Sequence, residues 1–298
     1  MSDISPLDAS WLAAHPLPRH GEGTDKDGRG RVLLVGGAAL VPGALRLTGE
    51  AALRAGAGKL RMATVESVAT ALGVLVPEAA MMALPADDRG EIGAGAIPIL
   101  REALDRSDAY VLGPGMGDKE CAAAIIRATL DVPREGLAIL LDAAAVAVAG
   151  AGSLGDTLRR HEGRLVLTPH HGEMAGLTGR DVSAIAADPQ TAASAAATEL
   201  GAVVVLKAGD TVIADPGGGV LLYDGGGVGL ATGGSGDVLA GIIGGLLARG
   251  APPLTAAGWG VWLHGEAGRL VAARLGPVGL LARDLLPEIP ALMVRGEG

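Results

Sequence analysis

Residues 232–237 read Thr-Gly-Gly-Ser-Gly-Asp, the residue types that moving a phosphoryl group needs. Glycines take φ > 0 easily and let a ligand approach the main chain. After them Val238, Leu239, Ile242, Ile243, Leu246 and Leu247 recur on one face of a helix, so the turn is a helix entrance. Unpaired N–H groups there carry partial positive charge and suit a phosphate. Asp237 is the odd residue, because a carboxylate repels an anion unless it has a task of its own. It has two readings. One is a helix N-cap above a tight turn, the simpler choice in isolation. The other is a general base, accepting the proton of a substrate hydroxyl that attacks a phosphoryl group held by the neighbouring amides.

Three more turns follow predicted strands: Gly-Pro-Gly-Met-Gly at 113–117, Asp142, and Thr-Pro-His-His-Gly-Glu at 168–173. Ligands in open α/β sheets gather at such carboxyl ends. His170 and Glu173 either contact a polar substrate or orient their loop. Residues 207–211, Lys-Ala-Gly-Asp-Thr, offer a cation and exposed amides to phosphates, or form a solvated hairpin; alone, the hairpin is the simpler reading. Trp259, Trp262, His264 and Glu266 share the last long helical stretch, where both tryptophans read as packing and His264 as structural.

These turns need a scaffold. Residues 32–35 form a short apolar strand closed by Gly36 and Gly37. Pro42 and Gly43 open a helical stretch at 44–55, and residues 60–64 return as a strand. The glycine spacing does not match the dinucleotide fingerprint, so a plain parallel crossover suffices. Further strands are expected at Ala109–Leu112, Ala138–Leu141, Leu165–Leu167, Val203–Leu206, 212–214 and Val220–Tyr223, and one alanine-rich helix at 184–197. The alternation predicts an α/β fold with a largely parallel sheet covered by helices. Residues 1–25 read as a partly ordered N-terminal segment and 26–298 as one domain.

Composition narrows the function. The 298 residues include no Phe and only 2% aromatics, so base stacking on aromatic side chains does not dominate binding. A net charge of −9 without a basic tract argues against nucleic acid or an anionic membrane as partner, and a small anionic ligand therefore needs a local positive site. With Cys121 the single cysteine, no intrachain disulfide or Cys-based zinc site forms, which fits a reducing cytoplasm. Neither a signal peptide nor a membrane-spanning run is evident.

Together, the segments GRVLLVGG (30–37), PGALRLTGEAALRAGAGK (42–59), GPGMG (113–117), LTPHHGEM (167–174), VVVLKAGDTVIA (203–214) and LATGGSGDVLAGIIGGLLARG (230–250) resemble the ADP/ATP-dependent NAD(P)H-hydrate dehydratases of the ribokinase-like superfamily. The resemblance covers roughly residues 26–287. It implies a three-layer α/β/α fold and a hydro-lyase that repairs NADHX and NADPHX, the C6-hydrated forms of NADH and NADPH. The hydroxyl would be phosphorylated at the expense of ADP, or ATP, and eliminated as phosphate, with Mg2+ bridging the nucleotide phosphates.

By the same resemblance Asp237 is the base, and Gly233, Gly234, Ser235 and Gly236 form the anion hole. Ala44, Gly115 and His170 line the hydrated cofactor with Asp237. Lys207, Ala208, Gly209, Asp210 and Thr211 hold the nucleotide with Gly236. No metal ligand is assigned. Three departures stand out: His171 replaces a proline, Ala208 replaces a glycine, and an asparagine common before the anion hole is absent from 225–227. The family implies a homo-oligomer and a functional link to an NAD(P)HX epimerase, expected on a separate polypeptide. The alternative is a kinase of the same superfamily acting on a vitamin-precursor alcohol, of hydroxymethylpyrimidine or hydroxyethylthiazole type, which would share the glycine turn and Asp237.

Overall fold

A computed structural model describes residues 4–21, 23–150 and 152–296. The expected N-terminal segment falls partly outside the described residues, at 1–3 and 22. Ten strands share one sheet: β1 (Ile4–Pro6), β2 (Arg31–Val35), β3 (Lys59–Val65), β4 (Ala79–Leu84), β5 (Ala109–Leu112), β6 (Ala138–Leu141), β7 (Leu165–Leu167), β8 (Val203–Leu206), β9 (Thr211–Ala214) and β10 (Val220–Tyr223). Their order is β1-β10-β9-β8-β7-β6-β5-β2-β3-β4. From β8 to β4 all pairs are parallel, and β9 runs antiparallel to both its neighbours.

Strand residues alternate between two buried faces. Val32 and Leu34 of β2 face the helices Pro42–Arg54, Ser235–Ala248 and Pro253–Leu275, while Leu33 and Val35 face helices such as Ile97–Leu104, Lys119–Thr129 and Pro189–Leu200. Burial on both sides is why these strands read as continuous apolar runs. The result is the three-layer α/β/α arrangement expected from the sequence.

The helix Ser235–Ala248 lies beside the helix Pro42–Arg54 on one face of the sheet, and small residues make their close approach possible. A Cβ at Gly241 would lie 2.2 Å from the Thr48 carbonyl oxygen, and one at Gly245 would lie 2.5 Å from that of Ala52. Any side chain at either position would force the two helices apart.

Two strands escape the sequence reading. β1 is a three-residue edge strand containing proline, and β4, Ala-Ala-Met-Met-Ala-Leu, has no β-branched residue. The single helix expected at 184–197 is two, Val182–Ala187 and Pro189–Leu200, because Pro189 cannot continue a helix and instead starts one. Asp188 caps that start, its Oδ1 accepting from Thr191 N at 3.1 Å. The N-terminal helix Ala9–Ala14 is tied down through Trp259, whose indole donates to the His15 carbonyl at 2.8 Å, consistent with the packing role read for that residue. Among the described residues no helix is long and apolar enough to cross a membrane.

Candidate active site

The glycine turn does open a helix. Gly234, at φ 89°, is the N-cap of Ser235–Ala248, and Asp237 sits inside the first turn with no capping hydrogen bond. The N-cap reading of Asp237 is therefore incorrect: it fails because the left-handed glycine, three residues earlier, already ends the turn. Asp237 makes no hydrogen bond or salt bridge with any described residue. Burial, reinforced by the negative charge of Asp142, pushes its carboxyl up to about 7, against a counter-pull from Lys207.

That shift has a stability consequence. The folded protein holds the Asp237 proton more tightly than the unfolded chain, so this stabilisation is complete below the ordinary carboxylate value near 3.8 and is lost as pH rises through about 7. Asp237→Asn, which is neutral throughout, is expected to raise the melting temperature above pH 7 and to match the wild type near pH 4. A melting series across that range checks the sign.

Lys207 lies at the centre. It follows β8, and its Nζ donates to Asp142 Oδ1 at 2.8 Å and stands 3.7 Å from Glu173 Oε2. The same nitrogen lies 3.4 Å from where a Cβ at Gly236 would be, so the ammonium faces the glycine turn. Burial alone would lower the lysine's pKa, but the Asp142 and Glu173 carboxylates outweigh it and hold it above the ordinary value. Asp142, only 4% exposed at its side chain, ends β6 and has the Thr168 hydroxyl 2.8 Å from Oδ1. The next residue, Ala143, is the one described non-glycine residue at positive φ, 50°. Backbone strain thus adjoins the buried carboxylate.

His170 caps the helix His171–Thr178. Its Nδ1 accepts from the Gly172 and Glu173 amides at 2.9 and 3.2 Å, while Glu173 Oε2 accepts from His170 N at 2.8 Å. This reciprocal capping box fixes the loop and turns Glu173 toward Lys207. His171 needs no proline-like role to start the helix, and Lys207 N donates to the Pro169 carbonyl at 2.8 Å, tying the loop to β8. The two readings of the His–Glu pair are compatible, since His170 also lines a cavity.

That cavity has a volume of about 710 Å³ and is bordered by Lys207, Ala208, Gly209, Asp210, Thr211 and Gly236, with apolar walls from residues including Leu239 and Val261. Residues 207–211 are the β8–β9 hairpin, so the hairpin reading and the ligand-facing reading describe the same loop. Ala208 keeps its backbone out of the left-handed region, and its methyl therefore costs no strain. Within 225–227, a Cβ at Gly225 would lie 2.4 Å from the Tyr223 ring while one at Gly227 would meet open space, so nothing steric explains the missing asparagine there. His264, read as structural, reaches Ser235 Oγ at 2.9 Å through Nε2. Burial pulls it down to about 4, so it is neutral at physiological pH and orients an anion-hole residue. Only its pairing across the fold reveals that contact, since sequence spacing carries no signal for it.

Ala44 and Gly115 do not line this cavity; they meet each other at the carboxyl ends of β2 and β5. A Cβ at Gly115 would lie 2.9 Å from Ala44 Cβ and 3.1 Å from Gly37 Cα. Leu47, one turn along the helix from Ala44, packs on Gly234, and Asp237 Oδ2 lies 4.0 Å from the same Cβ position. The glycine turn thus stands between the helix that carries Ala44 and the cavity.

A family model described as NAD(P)H-hydrate dehydratase matches residues 32–291. The ADP-dependent (S)-NAD(P)H-hydrate dehydratase of Xanthomonas campestris pv. campestris is 45% identical over 293 residues, 98% of this chain and 97% of that protein. The bifunctional NAD(P)H-hydrate repair enzyme of Moorella thermoacetica is 38% identical over 96% of this chain, which spans 53% of its length. The ADP/ATP-dependent NAD(P)H-hydrate dehydratase of Bacillus subtilis, co-crystallised with ATP/Mg2+, superimposes with a TM-score of 0.83 at 30% identity, covering 99% of each chain. With its glycine turn, buried carboxylate and nucleotide-sized cavity, the chain is an enzyme of the ribokinase-like NAD(P)H-hydrate dehydratase family.

Proposed function

We propose that this protein uses ADP to dehydrate the 6S hydrates of NADH and NADPH, restoring the reduced cofactors and releasing AMP and phosphate. The observation that carries this reading is Asp237: a half-buried carboxylate without a hydrogen-bond partner, poised near neutrality at the rim of an amide-lined turn. With its base deprotonated, the C6 hydroxyl attacks the terminal phosphorus of ADP. Asp237 takes the hydroxyl proton, the bond from that phosphorus to the AMP oxygen breaks, and AMP departs. The phosphate ester at C6 then leaves with the electrons of its C–O bond as the ring regains its double bond and loses a proton. Phosphate is a far better leaving group than hydroxide, which is the reason to phosphorylate first.

In this reading the amides of Gly233, Gly234, Ser235 and Gly236 hold the transferred phosphoryl group, with Lys207 beside them. Ala208, Gly209, Asp210 and Thr211 border the adenylate, and Ala44, Gly115 and His170 face the hydrated cofactor. Mg2+ would neutralise phosphate charge. Among the described residues no cluster of three or more His, Cys, Asp or Glu can hold a metal. Asp142 and Glu173 are the nearby protein donors, so phosphate oxygens and water would fill most of the shell, as suits this ion.

We place the enzyme in the cytoplasm as a homo-oligomer, with residues 26–298 as one catalytic domain. The word bifunctional in the name of the Moorella relative supports pairing with a second repair activity, the epimerase that interconverts the hydrates. The vitamin-alcohol kinase alternative keeps Asp237 but would accumulate a stable phosphorylated product.

The test is recovery of absorbance at the reduced-nicotinamide band when the protein meets hydrated NADH with ADP, with ATP or with no nucleotide. Recovery with ADP alone or with both nucleotides, and none without, is expected. No recovery by a folded, ADP-binding protein would overturn the dehydratase reading.

A further inference from the structure

We infer that Arg46 and Arg283 form an anion subsite that receives the diphosphate bridge of the dinucleotide substrate. The inference rests on the dehydratase reading and extends it to a part of the substrate far from the reacting carbon. A second cavity, of about 220 Å³, touches the glycine turn at Gly233 and is bordered by Gly43, Arg46, Leu47 and Glu50 on one side and by Leu281, Ala282 and Arg283 on the other. It does not include the adenylate hairpin 207–211, so it belongs to the substrate side of the turn.

Its walls connect directly to the chemistry. A Cβ at Gly234 would meet Leu47 Cδ1 at 2.5 Å and Ala282 Cβ at 3.2 Å, and Asp237 Oδ2 at 4.0 Å. Arg46 and Arg283 are the sequence neighbours of those two wall residues, one on the helix Pro42–Arg54 two positions after Ala44, the other on the 3-10 turn Ala282–Glu288.

Arg31, Arg54, Arg89, Arg101, Arg134, Arg159, Arg269 and Arg274 each pair with a carboxylate, whereas Arg61 and Arg127 do not. Arg46 and Arg283 form no salt bridge or hydrogen bond with any described residue. Two unpaired guanidiniums facing one cavity, in a chain of net charge −9, supply the local positive site that an anionic ligand requires. Guanidinium also matches the paired oxygens of a phosphate group better than ammonium does. Glu50, the acidic member of the wall, stands 3.8 Å from Arg54, which offsets its charge.

A dinucleotide offers phosphate in two places, the diphosphate bridge common to both cofactors and the 2′-phosphate of NADPH alone. The bridge is closer in the covalent structure to the nicotinamide ring, and the cavity directly adjoins the turn beside Asp237. The test is steady-state kinetics of Arg46→Ala, Arg283→Gln and the double variant on hydrated NADH and hydrated NADPH, with ADP varied separately. Each single change should raise KM for both hydrates about tenfold and by the same factor, a larger effect than on kcat, with KM for ADP unchanged. Arg46→Lys should recover only part of the loss.

A rise confined to hydrated NADPH would overturn the assignment to the bridge and point to the 2′-phosphate. An unchanged KM for both hydrates, in variants that melt like the wild type, would overturn the subsite altogether. Wild-type turnover of the same substrates separates these outcomes from failure of the dehydratase reading itself.

Discussion

Asp237→Asn should lower turnover of hydrated NADH by about 10²-fold or more while leaving the ADP dissociation constant close to wild type. Asparagine keeps the size of the side chain but cannot take a proton. The unaltered turn amides and Lys207 would still hold nucleotide. The pH profile adds a second signature. A base pushed up to about 7 must be deprotonated to act, so the wild-type rate should climb as pH rises through about 7 and then level off. The variant's residual rate should lack that limb. Unchanged turnover in the variant would remove Asp237 from the mechanism.

Lys207→Met should be costly twice. It leaves the Asp142 carboxylate, 4% exposed, facing Glu173 without the cation that lies 2.8 Å from one and 3.7 Å from the other. Breaking a buried pair by removing one partner costs roughly 3 kcal/mol, and in a chain of this size that corresponds to a melting temperature lower by about 5 °C. The ammonium also faces Gly236, so ADP affinity should fall by about tenfold or more. Calorimetry and nucleotide titration on one preparation measure both. A melting point within a degree of wild type would mean that Lys207 does not compensate the two carboxylates.

The sequence reading reached the parts of this molecule that local pattern controls. β5, β6, β7, β8 and β10 lie where apolar runs and flanking turns predict them, because strands buried on both faces leave an unbroken signal. β4 was invisible because alanine and methionine are poor strand formers, and its pairing with β3 decides the outcome. Asp188-Pro189 was overlooked inside an alanine-rich stretch, although proline breaks helices by simple geometry.

At the site, the resemblance supplied the set of residues and the structure supplies their grouping. Gly236, His170 and the hairpin meet at one cavity, and Ala44 meets Gly115 apart from it. What no spacing reveals is contact between distant segments. Asp142 meets Lys207 across 65 positions and Ser235 meets His264 across 29, and the second pairing changes the meaning of a histidine that looked merely structural.

The close approach of Gly241 and Gly245 to the helix Pro42–Arg54 has a mechanical consequence. Backbones that nearly touch cannot slide past one another, so the glycine turn at the start of the helix Ser235–Ala248 and the helix that carries Ala44 move as a single block. The hairpin 207–211 joins β8 to β9, the strand that runs against the grain of the sheet, outside that block. On the dehydratase reading proposed above, an exchange of nucleotide that flexed the hairpin would leave that block undisturbed, much as a chuck opens without disturbing the alignment of the lathe.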